Sequence, residues 1–372
     1  MSGAQQTRLA SQALLTIDLD ALIANWRAIA ARAAPAQCAA VVKADAYGIG
    51  LEPAAQALSR AGCVSFFVAH VAEAVRLRAA LGGAPAQIYC LNGLSDDAEE
   101  IQTLAGAQAF PVIGSAHEWA AWLKHAPGHE AALHVDTGMN RLGMSAQEAK
   151  AIADTPEAAC VTLVLSHFAS SEERENPMNA AQIGAFDAVR QLFSNARASL
   201  ANSSGVFLPT APHYDLVRAG YALYGGNPTP DAPNPMQSVV GVQAPIIQVR
   251  NVEAGAMVGY NSTWRAPSPR RLATIGIGYA DGLLRSASGT QGNPAAQVYL
   301  GDTPCPVVGR ISMDLSVIDV TEAPVKEACP GAMVELLGAH ISVEDLAACA
   351  NTIGYEILTS LSRRYFRQYV GG

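Results

Sequence analysis

Short apolar runs rich in Val, Ile, Phe and Leu recur through the first two thirds of the chain. They read CAAVVKA (38–44), CVSFFVAH (63–70), QIYCLNG (87–93), AFPVIG (109–114), AALHVDTG (131–138), VTLVLSHFA (161–169), ARASLANSSG (196–205) and DLVRAGYALYG (215–225). Their starts are 25, 24, 22, 22, 30, 35 and 19 residues apart. Ala-rich segments of helical character fill most gaps, among them LEPAAQALSRAG and VAEAVRLRAALGG, the latter closed by glycine as a helix end requires. Continuous apolar runs are the signature of strands buried on both faces, and their alternation with helices predicts a parallel sheet. Eight such units predict an α/β fold, a (β/α)8 barrel. An open doubly wound sheet is the alternative, but ADAYGIG after the first run lacks the G-x-G-x-x-G spacing of its first turn.

The pattern changes after the eighth run. Prolines at 228, 230, 233 and 235 of GGNPTPDAPNPMQ predict a stiff, extended connector and a domain boundary. Beyond it, VVGVQAPIIQVRNV, RRLATIGIGYADG, QVYLGDTPCPVVGRISMDLSVIDV and AMVELLGA are strand-like and turn-punctuated, so a C-terminal mainly-β domain is expected. It should close with a helix over 342–352, where Ser342 and Asp345 form a capping box. The expected domains are 1–236 and 237–372.

Composition narrows the class of partner. Half of the 372 residues are hydrophobic and 15% are charged, which excludes a disordered chain. A net charge of −8 argues against nucleic acid and against an anionic membrane surface as partners. No apolar run approaches the ~20 residues of a membrane span, and Asp18 and Asp20 interrupt the apolar stretch that a signal peptide would need. Seven widely spaced cysteines without CxxC suit reduced thiols and a cytoplasmic protein, with no metal site expected. His125 and His129 are four apart, but Pro127 and Gly128 break the helix that would align them, and Trp119 and Trp122 read as helix packing.

A parallel barrel carries its chemistry at the C-terminal ends of its strands. Those ends hold Lys43, Asp136 with Arg141, Ser166-His167, Asn202-Ser203-Ser204-Gly205, and Arg218 with Gly220. Each alone could be a polar strand end facing water; together they place groups that act on an anion or a proton on one rim. The loops after strands 7 and 8, ANSSG and RAGY, offer backbone N–H groups and a hydroxyl of the kind that holds a phosphate. A lysine at that rim beside a phosphate site is the arrangement of a pyridoxal phosphate Schiff base.

AVVKADAYGIG, HVDTGMNRLG, LSHFA, ANSSG, VRAGYALYG, VGYNSTW, GIGYADG, VGRISMD and GYE resemble, in order, the motif set of bacterial alanine racemases, and they cover residues from about 39 to 356. The resemblance implies the barrel, a β-domain, pyridoxal 5'-phosphate as cofactor, and a homodimer with shared active sites. In that family the first N-terminal strand can belong with the C-terminal domain, so TIDLDAL need not be barrel. By resemblance, Lys43 is the Schiff-base lysine, Tyr47 lies near the phosphate, and His167 packs on the cofactor ring. Ser203, Gly220 and Tyr221 match the phosphate cradle, Tyr355 a further phosphate ligand, and Arg218 the arginine facing the pyridine nitrogen. Arg141 and the backbone around Met313 match the substrate-carboxylate site. Tyr260 matches the second catalytic base, contributed by the partner subunit, and Tyr279 and Arg285 line the entrance.

These roles agree with the chemistry of racemisation, in which a proton leaves one face of Cα and returns on the other, a task for two bases. An arginine facing the pyridine nitrogen keeps that nitrogen unprotonated, since a guanidinium has no proton to share. The expected function is interconversion of L- and D-alanine, supplying D-alanine for peptidoglycan or degrading it. A broader amino-acid racemase acting on serine and a non-catalytic pyridoxal phosphate carrier are the alternatives. Two features depart from the family. Glu172 stands where an acidic entrance residue is common, but the loop beyond it, in SSEERENP, is unusually charged. His134 stands where many members have a lysine, often carbamylated, that orients the carboxylate-binding arginine. An imidazole forms no stable carbamate, so a buried Arg141 would need another partner. The favoured expectation is a bound anion such as chloride, caged by Arg141 and backbone N–H groups of the DTGMN turn, with an acidic side chain or the side chain of Asn140 as the alternatives.

Overall fold

The computed structural model describes residues 8–209, 212–290 and 296–372. The chain divides into two compact units, one of Ala21–Gln237 and one joining the chain up to Asp20 to Ser238–Gly372.

In the first unit the eight apolar runs form the eight strands of a parallel sheet. With β1 reserved for Leu14–Asp18, these are β2 (Gln37–Val41), β3 (Ser65–Val68), β4 (Gln87–Cys90), β5 (Ala109–Ile113), β6 (Ala131–His134), β7 (Val161–Leu165), β8 (Arg197–Ser199) and β9 (Leu216–Ala219). Consecutive strands pair in parallel from β2 to β8, and β9 pairs with β2. Bonds from Asp215 N to Ala198 O (3.1 Å) and Arg218 N to Ala201 O (2.9 Å) close the barrel between β8 and β9. Phe66, Phe67, Ile88, Tyr89, Leu133 and Leu163 are fully buried within it.

The N-terminal end of the barrel is plugged by a polar fork. Arg197, at the start of β8, donates to Gln37 Oε1 (2.9 Å), Gln87 Oε1 (2.8 Å) and the Tyr89 hydroxyl (2.8 Å), while Ser65 donates to Gln37 Oε1 (3.0 Å). These residues open β8, β2, β4 and β3, so one guanidinium ties three strand starts, β3 joins them through Ser65 and Gln37, and the opposite rim is left for chemistry.

The proline-rich segment differs from the expected extended connector. Asn227 Oδ1 accepts from Thr229 N (2.9 Å), Asn227 Nδ2 reaches Ala232 O (2.9 Å), and Asn234 Nδ2 reaches Gly225 O (2.8 Å). Asparagine side chains fold the segment back on itself, a local competition with the backbone that outweighs proline stiffness.

In the second unit β1 lies between two strands. It runs antiparallel to β10 (Val240–Val252) and parallel to Phe366–Val370. The long β10 shifts register between Ile246 and Gln248, and so pairs with Met333–Leu337 along one stretch and Arg270–Ile275 along another. Helix Val343–Cys349 begins at Ser342, whose hydroxyl accepts from Asp345 N at 3.1 Å.

Candidate active site

Lys43 leaves the end of β2 into a turn of unusual hand. Ala44, Asp45, Ala46 and Tyr47 all have φ between 51° and 56°. Four consecutive non-glycine residues in the left-handed region carry roughly 1–2 kcal/mol of strain each, so the surroundings must hold them there. They do. Ala44 N donates to Glu73 Oε1 (2.7 Å), Asp45 Oδ1 accepts from Leu51 N (3.2 Å) and Arg76 (2.9 Å), and the Tyr47 ring stacks on Tyr224 at 4.5 Å. Tyr224 in turn donates to Val41 O at 2.8 Å, on β2 itself.

Arg218, on β9, is buried and extensively bonded. One terminal nitrogen donates to Ser199 O (3.0 Å) and Oγ (2.6 Å); the other donates to Ser166 O (2.5 Å) and His167 Nδ1 (3.2 Å), with Leu200 O at 3.4 Å. Since a guanidinium cannot accept, Nδ1 of His167 is the acceptor and the ring's proton sits on Nε2. Burial lowers the Arg218 pKa to about 10, which leaves it cationic at neutral pH. Burial, with the charges of Arg218 and Arg141, holds His167 well below the usual imidazole range, hence neutral. Lys43 is also shifted down, first by burial and then by Arg141 and Arg218, with Glu73 opposing. A larger share of its amine is therefore unprotonated than in water.

Beside Arg218, the Ser203 hydroxyl receives Gly220 N at 3.0 Å and Ala222 N at 3.3 Å. A Cβ on Gly220 would lie 2.5 Å from the Tyr47 hydroxyl, so only glycine allows this approach. The Tyr221 ring lies against Gly226, where a Cβ would come within 2.4 Å of three ring carbons.

Arg141 is close enough to Lys43, His134 and His167 to depress all three, yet it lies exposed on its turn. The expected anion cage is contradicted. Gly138 N and Met139 N donate to Asp136 Oδ1, and Asn140 N to Oδ2, each at 2.9 Å, so the turn's amides are already filled by a carboxylate of the same motif. An exposed guanidinium also has water and needs no buried counter-ion. His134 is buried at the end of β6, with its pKa lowered to about 4 by burial, Arg218 and Arg141.

Gln182, which no motif indicated, completes the rim. Gln182 is fully buried; it accepts from Ala169 N (2.8 Å) and donates to His167 O (2.9 Å) and Thr137 Oγ1 (3.2 Å). Thr137 meets Ser166 Oγ at 2.7 Å, joining the ends of β6 and β7. Outside the rim, His125 pairs with Asp96 at 2.8 Å and Trp119 and Trp122 are buried helix residues.

The barrel unit thus gathers Lys43, Tyr47, Arg141, His167, Ser203, Arg218, Gly220 and Tyr221, whereas Tyr260, Met313 and Tyr355 lie in the second unit. There Tyr260 follows Gly259, whose positive φ of 73° suits glycine and where an added Cβ would come within 3.1 Å of Arg310 N. Tyr279 N bonds Ser312 O (3.0 Å) and Ala280 N bonds Met313 O (2.9 Å), so the three loops share segment 309–313. Their side chains are outward: Tyr260 is 68%, Met313 53% and Tyr279 42% exposed.

The rim fits pyridoxal phosphate on three counts. The amides of Gly220 and Ala222 meet at one hydroxyl oxygen, that of Ser203, which marks a point where an oxygen of a phosphate could be received, and a glycine there allows close approach. Among the described residues, Nε is the one Arg218 nitrogen with no protein partner, and so is available to a pyridine nitrogen. Lys43 supplies a partly deprotonated amine. Sequence comparison decides the family: the model of the alanine racemase N-terminal domain matches residues 17–228, and that of the C-terminal domain matches residues 239–369. The chain belongs to the alanine racemase family. It is a pyridoxal-phosphate-dependent isomerase, as that family is. An alanine racemase of Methylobacterium nodulans is 49% identical over 97% of this chain and 96% of its own length. A catabolic alanine racemase of Mesorhizobium japonicum is 44% identical over 100% of this chain and 97% of its own. The crystal structure of alanine racemase from Bartonella henselae, with covalently bound pyridoxal phosphate, superposes with a TM-score of 0.89 at 39% identity, covering 96% of this chain and 99% of that one. No helix among the described residues is long and apolar enough to cross a membrane.

Proposed function

We propose that this chain racemises alanine in the cytoplasm as a homodimer with shared sites, Lys43 serving one face of the substrate and Tyr260 of the partner subunit the other. The product D-alanine would supply peptidoglycan precursors, or the reaction would run to consume it. Pyridoxal phosphate, when bound, withdraws electrons from the substrate's Cα and so acidifies its proton. Ser203 and the backbone N–H groups of Gly220 and Tyr221 would hold its phosphate, with Tyr47 beside them and Tyr355 as a further ligand. Arg218 would direct Nε–H at the ring nitrogen while its terminal nitrogens, bonded to Ser199 and Ser166, keep it from moving. His167, neutral and fixed by Arg218, would pack on the ring.

Lys43 Nζ suits proton removal because its lowered pKa brings it toward operating pH. Arg141 and the backbone around Met313 would bind the substrate carboxylate, and the positive field at the rim favours that anion. The observation that carries this reading is the convergence of Lys43, His167, Arg218 and Arg141 on one rim, close enough that the two guanidinium charges add to burial in lowering the pKa values of Lys43 and His167. Its complement is Tyr260, an aromatic side chain 68% exposed on its own unit beside exposed Tyr279 and Met313, as a residue serving a second subunit would be.

The test mixes two inactive proteins, Lys43→Ala and Tyr260→Phe. Dissociated and reassembled, mixed dimers have one site lacking both bases and one intact site. Recovery of about a quarter of wild-type activity is expected from random pairing, since half the dimers are mixed and each has one of two sites. If activity stays at the level of the parent variants while mixed dimers form, the shared site is refuted.

A further inference from the structure

The left-handed turn after Lys43 is braced by two residues of one helix. Val71–Leu81 carries Glu73 and Arg76 three positions apart, hence on one face. Arg76 spans Asp45 (2.9 Å) and Glu52 (2.8 Å), on the turn and the helix that follows it. Glu73 does two things at once. Its Oε2 accepts from Ala69 N (2.8 Å) and His70 N (3.3 Å), closing the start of its own helix. Its Oε1 accepts from Ala44 N at 2.7 Å, across 29 residues of sequence. Ala44 is the first left-handed residue, and the first amide of a helical turn has no carbonyl of its own to bond.

We propose that Glu73 is a positioning residue for Lys43: its carboxylate bridges the end of β3 and the left-handed turn, and so fixes the direction in which the lysine side chain leaves the rim. The inference rests on Lys43 being the cofactor lysine. Backbone N–H groups meet this side chain at both oxygens, so only an acceptor on both sides fits. A glutamine can satisfy one side, and its NH2 then faces an N–H on the other. Glu73 is also the anion that faces Lys43, against the cations Arg141 and Arg218, with His167 neutral nearby; Arg76 lies on its own helix, and Cys90 and Tyr224 feel the carboxylate from β4 and the rim.

The chain has only four lysines, Lys43, Lys124, Lys150 and Lys326, so each can be followed by peptide mapping. In full-length protein freed of cofactor, trace acetylation across pH gives the titration midpoint of each lysine, and reduction with borohydride after adding pyridoxal phosphate gives the rate at which Lys43 captures it. Glu73→Gln is expected to move the Lys43 midpoint down by about half a pH unit or more, with the other three unchanged. Capture should slow by about tenfold from the lost orientation. Glu73→Asp keeps the charge but is one methylene short, so its midpoint should stay near wild type while capture remains slower by about threefold or more. A folded Glu73→Gln protein with wild-type midpoint and capture rate overturns the proposal, as does a lowered Tm with Lys43 unaffected, which would leave Glu73 a helix cap. If Glu73→Gln does not fold, a wild-type capture rate in Glu73→Asp overturns it equally. Capture by another lysine in the wild-type protein would instead refute the role of Lys43, while the midpoint shift would still report the brace.

Discussion

The barrel rim and the loops of the second unit hold their candidate residues in opposite ways. At the rim, Arg218 spends four N–H bonds on fixed carbonyl, hydroxyl and imidazole acceptors, and Lys43 sits on a turn clamped by Glu73, Arg76 and Tyr224. In the second unit the backbones of the Tyr260, Tyr279 and Met313 loops are tied together, but their side chains face outward. Preorganised burial suits groups that must hold a charged cofactor in one orientation. Fixed backbones with exposed aromatic tips suit groups that act only once another surface arrives. The rim should therefore fail abruptly when altered, and the second-unit loops should fail in rate while leaving cofactor binding intact.

The sharpest break in that contrast is Lys43→Ala. No other lysine of the chain lies on the rim strands, so activity should fall by at least about 10⁴-fold, the upper range for loss of a proton-transfer group. Borohydride treatment should then leave no cofactor on the protein. A trapped adduct on any other residue would refute the assignment.

Gly220→Ala is smaller and tests the cradle alone. The added Cβ would sit 2.5 Å from the Tyr47 hydroxyl and 3.3 Å from Cζ, and the Tyr47–Tyr224 stack leaves that ring little freedom to retreat. Cofactor affinity, followed by absorbance titration, is expected to weaken by about 10- to 100-fold, or roughly 1.4–2.8 kcal/mol. Unchanged affinity would show that the phosphate site is elsewhere.

The barrel was legible in the sequence because parallel strands buried on both faces are near-continuous apolar runs, and all eight runs became strands. Rim residues were legible where they sit at strand ends, as Lys43, His167 and Arg218 do. What holds them was not. The partners Glu73, Gln182 and Ser199 come from elements 29, 15 and 19 residues away in the chain, and no local spacing marks such pairs. The hand of the Lys43 turn was hidden because ADAY contains no glycine, the usual mark of positive φ. The DTGMN turn misled in the other direction. Its amides suggested an anion cage, but the motif's own aspartate is the anion, an Asx-type capture that favours the nearest carboxylate. Likewise, proline count suggested an extended connector where Asn227 and Asn234 fold it back.

At His134 the expected effect is on stability and not on cofactor binding or rate. Its pKa is about 4 in the folded protein, against an ordinary imidazole value near ~6.5 in the unfolded chain. Between those values the unfolded state binds a proton that the folded state refuses, so stability rises with pH across the window. The contribution is complete above the unfolded value and is lost as pH falls toward 4, amounting to about 3 kcal/mol for a buried group shifted this far. His167, depressed in the same direction, adds a second slope of the same sign. Replacing His134 by Gln keeps a polar side chain of similar reach but removes one titrating site. Urea midpoints measured from pH 7 to pH 4 should therefore fall less steeply in His134→Gln than in wild type, by about one proton's slope, while the two proteins stay parallel above pH 7. Equal slopes throughout would mean that the folded protein protonates His134 as readily as water does. Neither burial nor the cations Arg218 and Arg141 would then act on the imidazole at the end of β6, and the electrostatic continuity of the rim from Lys43 to His134 would be broken.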